Sequence, residues 1–86
     1  MKSRILAFTS PDCAACEISK PIVERAAKAQ GLEVIEQDPI EDPALAQRFD
    51  VNVLPTFVLV KGDEAQAEVH GMVSEDTARR FVAMST

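Results

Sequence analysis

The sequence predicts one α/β domain of element order βαβαββα built on a mixed sheet, and three observations lead to it. A brief apolar run, Ile5-Leu6-Ala7-Phe8, stops at Ser10-Pro11 and gives way to a helical pattern. A second strand-like run, Leu32 to Glu36, follows that helix, so the first two strands are joined by a crossover and should lie parallel. The most strand-like run, Thr56-Phe57-Val58-Leu59-Val60, leads into Lys61-Gly62-Asp63-Glu64, a turn that should send the chain back as an antiparallel hairpin.

Each element has a local reason. The first strand, Ile5 to Thr9, is continuously apolar up to Thr9, as a strand covered on both faces tends to be. The first helix should run from about Cys13 to Gln30, with Ile18, Ile22, Val23, Ala26 and Ala29 at helical spacing. Gly31 stands where a residue of positive φ closes a helix. Pro21 lies within this helix and should kink it. After the strand over Leu32–Glu36, Asp38 to Pro43 reads as loop. Asp42 is placed as an N-cap with Pro43 at the first helical position, opening a short helix to about Phe49. Ala65 to His70 forms the return strand, ended by Gly71. Ser74 caps a last helix whose first turn carries Glu75 and Asp76, a favourable pairing with the helix dipole, and whose inner face is Ala78, Phe81 and Val82. Phe49, Phe57 and Phe81 read as core.

Composition narrows the functional classes. The 86 residues have room for one domain, residues 1–86. Two cysteines are too few for a disulfide-dense secreted scaffold. Nine Lys and Arg against 14 Asp and Glu give a formal charge of −5 with no basic cluster, which argues against nucleic acid and against an anionic membrane surface. After Met1-Lys2-Ser3-Arg4, the run Ile5–Phe8 is too short for a signal or a membrane span. A cytoplasmic location is therefore expected; a monomer is the expected state. The acids Glu36, Asp38, Glu41 and Asp42 read as a solvated face, and the single imidazole, His70, as a solvated or locally hydrogen-bonded strand residue.

The chemistry concentrates in Cys13-Ala14-Ala15-Cys16, at the junction of the first strand and the first helix. Two cysteines at this spacing lie within one helical turn and can close on each other with little backbone movement. A Cys-x-x-Cys pair in a reducing compartment is catalytic or metal-binding, and the pair alone supports the two about equally.

Phe8-Thr9-Ser10-Pro11-Asp12-Cys13-Ala14-Ala15-Cys16, with Pro21 five residues further on, resembles the active-site strand, loop and helix of the thioredoxin superfamily. Asp42 to Val51 resembles that family's second helix and the turn after it. Val53-Leu54-Pro55-Thr56 resembles the loop that holds a cis-proline opposite the cysteines, and Gly71 the glycine after the final strand. The resemblance spans nearly the whole chain. It implies a thioredoxin fold: a central four-stranded mixed sheet flanked by helices on both faces. The departures are specific. Asp12 stands where thioredoxins usually have an aromatic residue, Ala14-Ala15 replace Gly-Pro, Ala7 takes the place of a buried acid, and Glu36 that of its companion lysine. The compact size is closer to glutaredoxins and small thioredoxin-like proteins.

What the resemblance implies is a thiol–disulfide oxidoreductase acting as a protein disulfide reductase, cycling between a Cys13/Cys16 dithiol and disulfide. Cys13 is the nucleophile, because helix N–H groups and the dipole stabilise a negative sulfur there, and Cys16 resolves the mixed disulfide. The helix terminus lowers the Cys13 pKa and the Asp12 charge raises it. With no cation inside the motif, Cys13 should resemble a reductant's thiol rather than a strong oxidant's. Leu54, Pro55, Thr56, Asp12 and Met72 are the expected substrate contacts, and Pro21 and Gly71 are structural. No bound cofactor is implied. Electrons would come from a thioredoxin-reductase-type enzyme or a low-molecular-weight thiol, and the partners would be disulfide-containing proteins. Zinc would need four ligands, against two cysteines and one histidine in the chain. Two other readings compete: a glutathione-dependent glutaredoxin-like reductase, weakly echoed in Ser74-Glu75-Asp76, and a redox-inactive binding module on the same fold.

Overall fold

The computed structural model describes residues 2–85; the expected domain limits, residues 1 and 86, lie outside the described residues. The element order is β1 (Ser3–Phe8), α1 (Ala14–Ala29), β2 (Glu33–Gln37), α2 (Pro43–Arg48), β3 (Thr56–Lys61), β4 (Glu64–His70) and α3 (Glu75–Ala83). The four strands form one mixed sheet in the order β2-β1-β3-β4. β1 runs parallel to β2 with Ile5 opposite Val34, antiparallel to β3 with Leu6 opposite Val58, and β3 pairs antiparallel with β4. This is the predicted α/β arrangement.

The alternation of side chains along a strand divides the core in two. Ile5 and Ala7 of β1 with Phe57 and Leu59 of β3 point to one face, against Val23 and Ala27 of α1 and Ala78, Phe81 and Val82 of α3. Leu6 and Phe8 with Val58 and Val60 point to the other, against Ala46 and Phe49 around α2. Both faces of the central strands are therefore covered, which is why β1 and β3 read as unbroken apolar runs.

The capping signals act as expected. Asp42 Oδ1 accepts from the Leu45 N–H at 3.1 Å, and Ser74 Oγ accepts from the Thr77 N–H at 3.2 Å. At the end of α1 the Gly31 N–H donates to the Lys28 carbonyl and the Leu32 N–H to that of Ala27, with Gly31 at φ 70°. These are the two bonds of a Schellman cap. Leu32 is consumed by that cap, so β2 begins at Glu33 rather than at the expected Leu32. β1 starts earlier than expected, at Ser3, because Ser3 and Arg4 still find partners in Lys61 and Val60 of β3. α1 continues through Pro21, which has no N–H to give to Glu17.

One expectation about α1 is corrected. Its fully buried stripe is Cys16, Ser19, Val23 and Ala27, while Ile18 is 54% exposed and Ala29 is exposed. Ile22 and Ala26 flank the stripe and pack on the core. The helix turns a serine inward because its hydroxyl meets a backbone need: Ser19 Oγ accepts from the Val73 N–H at 3.1 Å, deep in the structure.

Candidate active site

The site lies where the C-terminal end of β1, the start of α1, the start of β3 and the end of β4 come together. Phe8, the last residue of β1, pairs with Thr56, the first of β3, and Thr56 pairs in turn with His70, the last of β4. The loop from Thr9 to Asp12, the Val53–Pro55 segment and the Gly71–Val73 segment therefore leave the sheet at one end. The Thr9 N–H donates to the Gln37 carbonyl at 3.0 Å, carrying the β1–β2 ladder one step into the loop before Ser10-Pro11 ends it.

Cys13 is the N-cap of α1. Its backbone is extended, with φ −116° and ψ 102°, and its Sγ accepts from the Cys16 N–H at 3.1 Å. Cys13 and Cys16 are joined as a disulfide, their Cα atoms 5.2 Å apart. The two sulfurs are not equivalent in access. Cys13 is half-buried, whereas Cys16 is 3% exposed, one turn into the helix and facing the sheet. A sulfur that accepts a backbone N–H at a helix N-cap sits where negative charge is stabilised.

The other two segments leave the sheet at the same end as this pair. The Leu54–Pro55 peptide bond is cis, and Pro55 is fully buried. The Pro55 carbonyl accepts from the Gly71 N–H at 2.7 Å, which fixes the proline segment to the end of β4. Gly71 adopts φ 91°, a value that L side chains rarely take, although a Cβ there would touch nothing within 4 Å; backbone conformation, rather than crowding, demands the glycine. Met72 is 62% exposed, while its neighbour Val73 is buried and tied to Ser19. Leu54 is half-buried, Thr56 is buried and Asp12 is exposed. The fold thus brings the ends of all three predicted segments to one side of the sheet.

Comparison with known proteins places this geometry. The thioredoxin family model matches residues 1–84. A thioredoxin H-type of Brassica oleracea is 34% identical over 82 residues, covering 94% of this chain and 67% of the relative. A thioredoxin H-type of Picea mariana is 30% identical over 79 residues, covering 91% of this chain and 63% of the relative. Among solved structures, a mutant thioredoxin of Halobacterium salinarum superposes with a TM-score of 0.86 at 29% identity, covering 99% of this chain and 75% of that one. A malarial protein matches in fold, with a TM-score of 0.80 at 22% identity over 98% of its own length. The chain belongs to the thioredoxin family. With its disulfide-capable Cys-x-x-Cys, it is a thiol–disulfide oxidoreductase. Thioredoxins in general bind no cofactor and are reduced by thioredoxin reductase.

Against that family the departures acquire geometry. Ala7, in the place of the usual buried acid, pairs across the β1–β2 ladder with Glu36. Glu36 is not idle on a solvated face. Its carboxylate accepts from the Thr9 hydroxyl at 2.8 Å and pairs with the Lys20 ammonium at 3.1 Å, and these two partners hold its carboxyl below the ordinary glutamate range. Lys20 lies four residues after Cys16, on the same side of α1, and lines with Cys16 and Glu36 a cleft of about 280 Å³. This thioredoxin-family chain therefore keeps an ion pair beside its buried cysteine but assembles it from the helix and β2. The acids beyond it are partly committed as well: Asp38 Oδ1 accepts from the Ile40 N–H at 2.8 Å, and Asp42 caps α2. A cleft of about 400 Å³ between Pro11 and the carboxylates of Glu36, Asp38 and Glu41 leaves this flank acidic.

Sequence reasoning passed over Ser19 and Lys20. The signal for Ser19 was its helical spacing from Cys16 and Val23; a lone hydroxyl on an apolar stripe marks a backbone group needing a partner. The Ser74-Glu75-Asp76 echo of a glutathione site is used inside the fold: Ser74 caps α3, Glu75 pairs with Arg25 at 3.2 Å, and Asp76 with Arg79 and Arg80. Among the described residues no cluster of three or more His, Cys, Asp or Glu could hold a metal ion, and no helix is long and apolar enough to cross a membrane.

Proposed function

We propose that this protein, acting as a single monomeric domain, reduces disulfides of other proteins, with Cys13 as nucleophile and Cys16 as resolving cysteine. The observation that carries the reading is the asymmetry of the pair: a half-buried Cys13 at the helix N-cap, its sulfur receiving the Cys16 N–H, beside a Cys16 that is almost wholly buried. In the reduced protein the Cys13 thiolate attacks one sulfur of the substrate disulfide. A Cys13–substrate disulfide forms, and the other substrate sulfur leaves as a thiolate. Cys16, deprotonated, then attacks Cys13 Sγ. The second substrate thiolate leaves; the two electrons now rest on the substrate's thiolates, and the Cys13–Cys16 pair is left oxidised as its disulfide.

The same reading gives Leu54, Pro55 and Thr56 the task of holding an extended substrate strand, with Asp12 and Met72 at its edges. Pro21 and Gly71 shape the frame. Electrons return from a thioredoxin-reductase-type enzyme or a low-molecular-weight thiol, and no cofactor stays bound. A cytoplasmic setting with disulfide-containing proteins as partners, and neither nucleic acid nor membrane, accords with the acidic charge. The acidic flank of Asp12, Glu36, Asp38 and Glu41 disfavours an anionic tripeptide, which weighs against a glutathione-dependent role.

Insulin reduction tests this. The purified protein is supplied with NADPH and thioredoxin reductase in one assay, and with NADPH, glutathione and glutathione reductase in another. Turnover is expected in the first. Turnover confined to the second would replace this reading with the glutathione-dependent one. Failure in both, and with dithiothreitol, would leave a binding module.

A further inference from the structure

Thr56 and His70 oppose one another across the β3–β4 ladder, and their side chains form a short polar chain at the mouth of the site. Thr56 Oγ1 donates to the Val53 carbonyl at 2.7 Å and lies 3.2 Å from His70 Nδ1; His70 Nε2 lies 3.0 Å from Glu68 Oε1. Donor counting decides what this chain needs. A hydroxyl has one hydrogen, and a carbonyl can only accept, so with that hydrogen on Val53 the contact with Nδ1 requires an N–H on Nδ1. A carboxylate also only accepts, so the contact with Glu68 requires an N–H on Nε2. All three bonds coexist only with the imidazolium.

A neutral ring carries one hydrogen and must give up a bond. If the hydrogen stays on Nδ1, both Thr56 bonds survive but the lone pair of Nε2 faces the Glu68 carboxylate, a repulsion that favours moving the hydrogen to Nε2. If it moves to Nε2, Nδ1 becomes an acceptor and competes with Val53 for the Thr56 hydrogen. Thr56 is 0% exposed, so in this second form its hydroxyl hydrogen goes either to Val53 or to Nδ1, with no water beside it to replace the bond given up. The charged groups around the ring are few. Glu68 of β4 touches it. From α3, Arg80 shares a surface cleft with Glu68 but is held by Asp76 at 2.8 Å, and from α2, Arg48 is turned to Asp63. Glu68 is the one charged side chain in contact with the ring among the described residues.

We propose that His70 is a positioning residue which, as imidazolium, straps the Val53–Pro55 segment to the sheet through Thr56, and which loosens that segment on deprotonation. The consequence for catalysis rests on the proposed role of this segment in holding substrate: the KM for a protein disulfide should rise with pH, over and above the change common to all forms of the protein from thiolate formation at Cys13.

Two measurements test this and can fail separately. In the oxidised protein neither cysteine titrates, so backbone amide resonances can be followed against the His70 ring by NMR from about pH 5 to 8.5. In the wild type the Val53 and Leu54 amides should titrate in step with the ring. In Thr56→Val the ring still titrates and its through-space charge remains, but the coupled shift should vanish. Glu68→Gln, at an exposed position, should also abolish it, because a glutamine can donate to the neutral Nε2 and leave Nδ1–H on Thr56; it carries the test if Thr56→Val does not fold. Loop amides that ignore the ring, or that follow it equally in the variants, would overturn the strap. In the second measurement, the rise in KM between the pH limits should be about two- to tenfold greater in the wild type than in Glu68→Gln, the span of one net hydrogen bond. Equal rises, with the strap seen by NMR, would overturn the substrate-holding role of the segment instead.

Discussion

Ser19→Ala removes one oxygen from the molecule and should cost more than a surface substitution of any size. The hydroxyl is fully buried and accepts the Val73 N–H at 3.1 Å, linking the middle of α1 to the segment that carries Met72. With alanine the amide keeps its place but loses its acceptor in a site closed to water. An orphaned buried N–H costs about 1–3 kcal/mol. Alanine's better helix propensity returns at most about 0.7 kcal/mol. The net loss is therefore on the order of 1–2 kcal/mol, a large share of the roughly 5–15 kcal/mol that holds a domain of this kind. With a urea m-value of about 1 kcal/mol/M for a small protein, the unfolding midpoint should fall by roughly 1–2 M at unchanged slope. The Val73 amide should also exchange with solvent faster than in the wild type. A midpoint unchanged within about 0.2 M, with Val73 still protected, would refute the view that this hydroxyl ties helix to loop.

Two further substitutions bear on the charges around the site. Glu36→Gln should flatten the acid limb of the stability curve: the carboxyl titrates below the ordinary value of about 4.3 when folded, so its stabilisation is complete above that pH and drains away as pH falls through the lower folded value. The group is half exposed, so the difference is small, and urea midpoints at neutral pH and at about pH 4 would detect it; equal pH slopes for both proteins would contradict the Thr9 and Lys20 assignment. Asp12→Asn should speed iodoacetamide alkylation of reduced Cys13 by a few-fold below neutral pH, with the gain shrinking in high salt; an unchanged rate would remove Asp12 from the control of the nucleophile.

The sequence made legible what depends on near neighbours in the chain. Asp42-Pro43, Ser74 and Gly31 mark helix ends through bonds spanning three to five residues, and each stands where it was expected. The alternating strands of the core followed from their unbroken apolar runs, and the Cys13–Cys16 spacing from one turn of helix. What stayed hidden depends on register between distant segments. Ser19 faces inward because Val73 passes over it, and Glu36 meets Thr9 and Lys20 because β1 and α1 converge there. The Thr56–His70–Glu68 chain exists only because Thr56 and His70 fall opposite one another, a pairing that a bulge between Leu59 and Val60 adjusts. A one-residue slip would turn His70 to the other face of the sheet. Resemblance to a family could carry Cys13, Cys16 and Pro55 across, but it could not show what this chain does with the residues by which it departs.

The most direct test of the unequal roles of the two cysteines is the covalent product that each single-serine variant forms with a disulfide-bonded protein substrate, read by intact mass. Reduced Cys16→Ser should accumulate a one-to-one mixed disulfide through Cys13, because the attacking sulfur remains at the helix N-cap and nothing resolves the adduct. Cys13→Ser should form none on the same timescale, since the remaining sulfur is 3% exposed beneath the first turn. An adduct on Cys16 in Cys13→Ser, formed as fast as the adduct on Cys13, would contradict the assignment of nucleophile and resolving cysteine.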